Sequence, residues 1–164
     1  MSARNRSSNL GYQSCLDAAS RYLGYRPRSV FEVRTRLRQR GFDHPTIERV
    51  LQELGRNGSL DDLAFARFWR ENRDSFSPRG TTLLSRELKS KGIAPHIVLE
   101  VLQGVDEEAN AYRAAGKRAR RLAGPDFNGF QSTLTSFLRR RGFSYDVVEH
   151  TVNQLWQEVH DAYA

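Results

Sequence analysis

The phrase LRQRGF at Leu37–Phe42 returns as LKSKGI at Leu88–Ile93 and as LRRRGF at Leu138–Phe143, 51 and then 50 residues further on. A chain that repeats a leucine, a basic stretch, a glycine and an apolar residue at such intervals is built from copies of one supersecondary unit. Apolar residues extend the match to Val33, Leu37, Ile47, Val50, Leu51 and Leu54 in the first copy, and to Leu84, Leu88, Val98, Val101, Leu102 and Val105 in the second. The third copy gives Leu134, Leu138, Val148, Thr151, Val152 and Leu155, so five of the six columns are apolar throughout. Spacings of three, four and seven mark one face of a helix. Each copy therefore predicts two helices separated by a break.

The break has a physical cause. Gly41, Gly92 and Gly142 stand where the first helix of each pair must end, and a left-handed residue there turns the next amides back onto the last free carbonyls. Phe42, Ile93 and Phe143 then fold onto Leu37, Leu88 and Leu138, the apolar contact that accompanies a Schellman ending. The following helices start at once, with Asp43 and Ser144 as N-caps and Pro95 in a first turn. A further helix precedes each pair. Ser14 with Asp17 offers a capping box for Cys15–Leu23, Ser29 with Glu32 another for the helix carrying Leu37, and Ser59 with Asp62 a third for a helix reaching Phe76. Asp106, Glu107 and Glu108 open a helix that extends to Leu122.

The chain thus reads as a mobile tail, residues 1–13, followed by three-helix units at 14–55, 59–105 and 106–160. Alternating β-branched runs and Asn-Gly or Asp-Gly hairpin turns are missing from the sequence. The expected fold is all-α, three tandem three-helix repeats forming an elongated, curved array, since units this small must bury surface against their neighbours.

Its 164 residues carry a formal charge of +7 and an isoelectric point near 10.1, a balance that favours an anionic partner. A single cysteine, Cys15, precludes an internal disulfide, suits a reducing compartment and is expected in the core. No stretch reaches the roughly 20 apolar residues of a membrane span, and the first residues have no apolar signal core. The cytoplasm is the expected location.

No catalytic signature is present. Asp61 and Asp62 form the one acidic pair suggestive of metal-dependent chemistry, but no converging carboxylates or histidines accompany them, and the first turn of a helix favours acids through its dipole. His44, His96, His150 and His160 lack ligand spacing, and neither a phosphate-binding glycine loop nor a nucleophile elbow occurs. No cofactor or metal is expected.

The cations carry more information. Arg38, Lys89 and Arg139 share one repeat offset, and Arg40, Lys91 and Arg141 share another two residues on. Both rows suit a helix C-terminus. They lie about 160° apart around the helix, so at most one faces a given surface. In NAYRAAGKRARRLAG, Arg113, Lys117, Arg120 and Arg121 fall within about 100° of arc, opposite a thin apolar face of Ala111, Ala115 and Leu122. Four cations with no interspersed acid repel one another, and a phosphate or acidic protein surface relieves that repulsion. Tyr22, Phe65, Phe68, Trp69 and Trp156 have the spacing of core aromatics, with base stacking as the alternative.

The runs RYLGYRPRSVFEVRTRLRQRGF, GSLDDLAFARFWRENR and SPRGTTLLSRELKSKGI closely resemble the RecX regulatory proteins, bacterial modulators of the RecA recombinase. Arg28 and Ser29, the series Leu60, Asp61, Asp62, Phe65 and Ala66, then Trp69, Pro78 with Gly80, and Glu87, Leu88, Lys91 and Gly92 stand where that family's pattern puts them. The match is strong from Leu16 to Val105 and looser in the third unit. The resemblance implies three three-helix repeats, a non-enzymatic protein that binds in the groove of the RecA filament on single-stranded DNA, and inhibition of its ATPase and recombinase activities. Candidate partner-binding residues, for the filament or for DNA directly, are Arg38, Arg40, Lys89, Lys91, Arg113, Lys117, Arg120, Arg121, Arg139 and Arg141. A plain nucleic-acid-binding protein and a helical-repeat adaptor for another protein are the competing readings.

Overall fold

The computed structural model describes residues 3–122, 124 and 126–162, with side chains described from Gly11 onward. Nine helices and no strand occur among them: α1 (Ala3–Leu23), α2 (Val30–Gln39), α3 (His44–Arg56), α4 (Asp62–Phe76), α5 (Thr81–Ser90), α6 (Pro95–Leu102), α7 (Glu107–Arg121), α8 (Phe127–Arg140) and α9 (Tyr145–Asp161). The order is that of three tandem three-helix repeats. Met1 and Ser2 lie outside the described residues, but residues 3–13, expected as a tail, continue α1. Tyr12 packs against the first core beneath the Arg49 guanidinium, 4.7 Å from its ring centroid. Ser14 is therefore inside a helix rather than at its N-cap, and Gln13 bonds to Asp17 instead.

The helix ends follow the expected chemistry: all three repeat glycines are left-handed, Gly92 at φ +73° with its amide on the Lys89 carbonyl. Gly41 and Gly142 both adopt φ +85°. The amides of Gly41 and Phe42 donate to the carbonyls of Arg38 and Leu37, and those of Gly142 and Phe143 to Arg139 and Leu138, the paired bonds of a Schellman ending. Asp43 and Ser144 occupy N-cap positions without a side-chain cap bond. Ser29 and Glu32 make the reciprocal capping box. Asp61, rather than Ser59, caps α4 by accepting from the amides of Leu63 and Ala64.

Contacts group the chain into two compact units, one running to Phe68 and including Lys89–Ile97, the other comprising Trp69–Leu88 and everything from Val98 onward. In the first, Cys15, Val33, Leu37, Ile47, Val50, Leu51 and Leu54 form the core of α1–α3. In the second, Ala111, Ala115 and Ala119 of α7 meet Phe130, Leu134 and Leu138 of α8 and Val148, Val152 and Leu155 of α9. The alanines place the α7 backbone close to its neighbours. Thr151, the polar exception in the repeat columns, is buried as well.

One joint recurs inside each unit. In the first, Ser29 at the N-cap of α2 donates through Oγ to the carbonyl of Lys91 at 2.7 Å, while the Val30 amide donates to Asp62 at 2.9 Å. In the second, the Gly80 amide ahead of α5 donates to the carbonyl of Arg141 at 2.9 Å, while the Thr81 amide donates to Glu107 at 2.5 Å. Donors at the start of a repeat's second helix, the Ser29 hydroxyl and the amides of Val30, Gly80 and Thr81, are thus satisfied by the following repeat, while the Ser29 amide goes to Glu32 of its own. Asp62 and Glu107, each the first residue of its own helix, cap a different one. Burial pushes the Asp62 carboxyl above its ordinary value, against the opposing Val30 hydrogen bond, with Asp61 adding to the rise.

The approach is close enough to select glycine. A Cβ on Gly142 would overlap the Cβ of Leu83, and one on Gly80 would overlap the Gly142 carbonyl, whereas a Cβ on Gly41 would meet nothing within 4 Å. Gly41→Ala should therefore lose only the left-handed backbone preference, about 1–2 kcal/mol. Gly142→Ala should lose that and about 1–3 kcal/mol more from overpacking. Urea unfolding midpoints of the two variants measure the difference.

Candidate partner-binding surface

The joint decides which repeat cations remain available. Lys91 bonds to Glu32 at 3.2 Å in the first unit, and Arg141 donates to Ser77 Oγ at 3.0 Å in the second. Two of the three members of that row, Lys91 and Arg141, are thus half-buried and spent on structure, while Arg40 is exposed. Burial lowers the Arg141 pKa from its ordinary value, and the neighbouring guanidinium groups of Arg79 and Arg118 push it the same way. The other row, Arg38, Lys89 and Arg139, is exposed throughout. Arg139 is nevertheless fixed, since it donates to the Phe143 carbonyl at 2.8 Å and lies 3.7 Å from the Tyr145 ring centroid.

The α7 stripe divides in the same way. Arg113 donates to the Asp74 carbonyl at 3.2 Å and to the side chain of Asn110, which is itself buried and bonded to the Asp74 carboxylate at 2.8 Å. Arg113 therefore ties α7 to the end of α4. Lys117, Arg120 and Arg121 stay exposed, with no carboxylate paired to them among the described residues. Beside them an open groove of about 440 Å³ between α7 and α9 is lined by Tyr112, Gly116, Ala119, Arg120, Leu155 and Glu158, among others.

The sequence-selected aromatics are mostly packing residues. Phe65 is buried, Trp69 donates to Glu87 at 2.7 Å, Tyr22 lies under Arg28, and Trp156 meets Phe127 and Phe130 edge-on. The exposed rings are others: Tyr25 at 84%, Phe76 at 82% and Tyr145 at 72%. Tyr25 lies in the turn after α1, and Phe76 and Tyr145 stand at helix ends, where spacing marks no face. Sequence reasoning also passed over Arg86 and Arg140, which join Arg139 around a small cavity at the second joint. Their convergence depends on α5 meeting the Gly142 turn, a contact of long sequence separation. Among the described residues no three His, Cys, Asp or Glu side chains are placed to hold a metal ion, and no helix is long and apolar enough to cross a membrane.

Comparison with known proteins agrees with this architecture. Residues 15–54 match the family described as RecX, first three-helix domain. A regulatory protein RecX of Prosthecochloris aestuarii is 36% identical over 143 residues, covering 87% of this chain and 94% of that protein. The chain belongs to the RecX family. A RecX of Chlorobium phaeobacteroides is 33% identical over 88% of this chain and 95% of its own. The crystal structure of RecX from Lactobacillus salivarius shares the fold at a TM-score of 0.78 and 24% identity, covering 88% of this chain and 96% of that one. These RecX relatives are named as regulatory proteins rather than enzymes.

Ser29 and Glu32, two residues of the resemblance or beside it, centre an ion network. Burial raises the Glu32 carboxyl, but hydrogen bonds from Arg26, the Ser29 amide and Lys91 outweigh it, leaving the carboxyl below its ordinary value. The unfolded chain, protonating near about pH 4.3, takes up this proton before the folded chain does. Glu32 therefore stabilises fully above that pH, and its contribution disappears as pH falls through the lower folded value. Glu32→Gln should unfold at lower urea than the parent at pH 7, with the gap closing as pH falls below about 4.3. Urea midpoints across that series check it.

Proposed function

We propose that this chain is a non-enzymatic negative regulator of the RecA recombinase in the bacterial cytoplasm, acting in DNA repair, recombination and the SOS response. It binds the RecA filament on single-stranded DNA and lowers its ATPase and strand-exchange activities. Membership of the RecX family supports the regulatory role, and the spaced motifs around Ser29, Asp62, Trp69 and Lys91 support the choice of RecA.

The observation that carries the binding mode is the row of Lys117, Arg120 and Arg121 on one side of α7, exposed and without carboxylate partners among the described residues. Uncompensated cations on one helix face raise the association rate with an anionic polymer and gain energy when its charge replaces water. Three-helix units at 14–55, 59–105 and 106–160 suit a partner that is itself a polymer. The exposed cations Arg38 with Arg40, Lys89 and Arg139 give each repeat a cationic surface of its own. Lys91, Arg113 and Arg141 support that surface from within, because their own hydrogen bonds are made inside the fold.

RecA ATPase on single-stranded DNA should fall when the protein is added. Inhibition well below one molecule per RecA would place its action at filament ends or on a spreading disruption. Replacing Lys117, Arg120 and Arg121 together by Ala should raise the half-inhibitory concentration about tenfold, equivalent to about 1.4 kcal/mol, with helix content by circular dichroism unchanged. Full RecA activity in the presence of the parent protein overturns the reading, and unaltered inhibition by the triple variant removes the α7 row from it.

A further inference from the structure

The two joints carry equivalent cavities with different chemistry. In the first unit the cavity is lined by Phe31, Glu32, Thr35, Ser90 and Lys91 together with Tyr22, Arg36 and Gln39. An acid offsets part of its positive charge, since Glu32 pairs with Lys91 at 3.2 Å and with Arg26 at 2.6 Å, while Arg36 also lines the space. In the second unit the cavity is lined by Thr82, Leu83, Arg86, Arg139, Arg140, Gly142 and Phe143. Along the repeat Leu83 takes the place of Glu32, Arg86 that of Thr35, and Arg140 that of Ser90. The second cavity has thus lost the acid and gained two guanidinium groups.

Three arginines around one cavity, with no carboxylate among its lining residues, hold an uncompensated positive charge. The Arg139 guanidinium is oriented by a hydrogen bond to the Phe143 carbonyl and by its contact with the Tyr145 ring. Arg86 and Arg140 are exposed and, among the described residues, paired with no acid. A volume of about 170 Å³ is below the roughly 300 Å³ of sites for drug-sized molecules, so the space suits one small anionic group. Guanidinium forks match the oxygens of a phosphate in geometry as well as charge.

The neighbouring Tyr145 selects the kind of phosphate. Its ring is 72% exposed and packs on the same Arg139 that lines the cavity, an arrangement that places a stacking platform beside an anion site. Free phosphate has no use for such a ring, whereas a single strand brings a base with every phosphate. We infer that the cavity between the start of α5 and the Gly142 turn binds one backbone phosphate of a single-stranded nucleic acid, held by Arg86, Arg139 and Arg140, with the adjoining base on Tyr145.

The test needs no RecA, so its result is independent of the regulatory reading above. Binding of a fluorescein-labelled oligothymidylate to the full chain is measured by anisotropy across a salt series, for the parent, for Arg86→Ala with Arg140→Ala, and for a charge-matched control, Arg21→Ala with Arg56→Ala. The cavity variant should bind at least tenfold more weakly than the control, and its slope of log affinity against log salt should fall by about 0.7, the value for one single-strand phosphate. Tyr145→Ala should weaken the oligonucleotide but leave competition by inorganic pyrophosphate unchanged. Equal losses in the cavity variant and the control overturn the site. Displacement by pyrophosphate as effective as by unlabelled strand, or by polyglutamate at equal charge, overturns the strand as its ligand in favour of a free phosphate or an acidic protein.

Discussion

Every repeat boundary inside the two units rests on the same exchange. The second helix of one repeat begins with donors that its own turns cannot satisfy, an amide in each case beside either the Ser29 hydroxyl or the Gly80 amide, and the next repeat supplies a carbonyl just ahead of its glycine and a carboxylate from the first residue of its leading helix. Ser29 and Val30 receive Lys91 and Asp62, and Gly80 and Thr81 receive Arg141 and Glu107. A helix end buried without partners costs the desolvation of each orphaned group. Sequential repeats therefore hold together through polar bonds as well as through the small apolar surface each can bury.

This exchange governs the distribution of charge. A cation two residues beyond the repeat leucine plus one further position, Lys91 or Arg141, is drawn into the joint and fixed by Glu32 or Ser77. The cation nearer the leucine points outward, so Arg38, Lys89 and Arg139 stay exposed. On α7 the same division separates Arg113, bonded to Asp74, from Lys117, Arg120 and Arg121. A basic protein of charge +7 thus presents a selected subset of these repeat and α7 cations, with Lys91, Arg113 and Arg141 serving as internal hydrogen-bond donors.

Much of the fold was legible because helix faces and helix ends have local causes. Leu37, Leu88 and Leu138 mark the buried stripe, and Gly142 with Phe143 ends its helix through bonds only a few residues long. The errors had equally physical origins. Ser14 looked like a cap, but a helix already running from Ala3 has no use for one there. Ser59 and Asp62 had capping-box spacing, but Asp61 takes the α4 amides and frees Asp62 to reach Val30, 32 residues away in sequence. Trp69 and Phe65 had the spacing of core aromatics, and the structure buries Phe65 and holds Trp69 through Glu87.

The sequence by itself determined a chain of glycine-ended helix pairs, all-α and strongly basic, because periodicity, capping and net charge are properties of short segments or of composition. Tertiary structure alone decided which arginines were consumed and which were gathered. Arg86 and Arg140 are 54 residues apart in the chain, and only the packing of α5 against the Gly142 turn puts both on one cavity. No periodic pattern encodes that meeting, since the repeat-equivalent residues Thr35 and Ser90 line the corresponding cavity without charge.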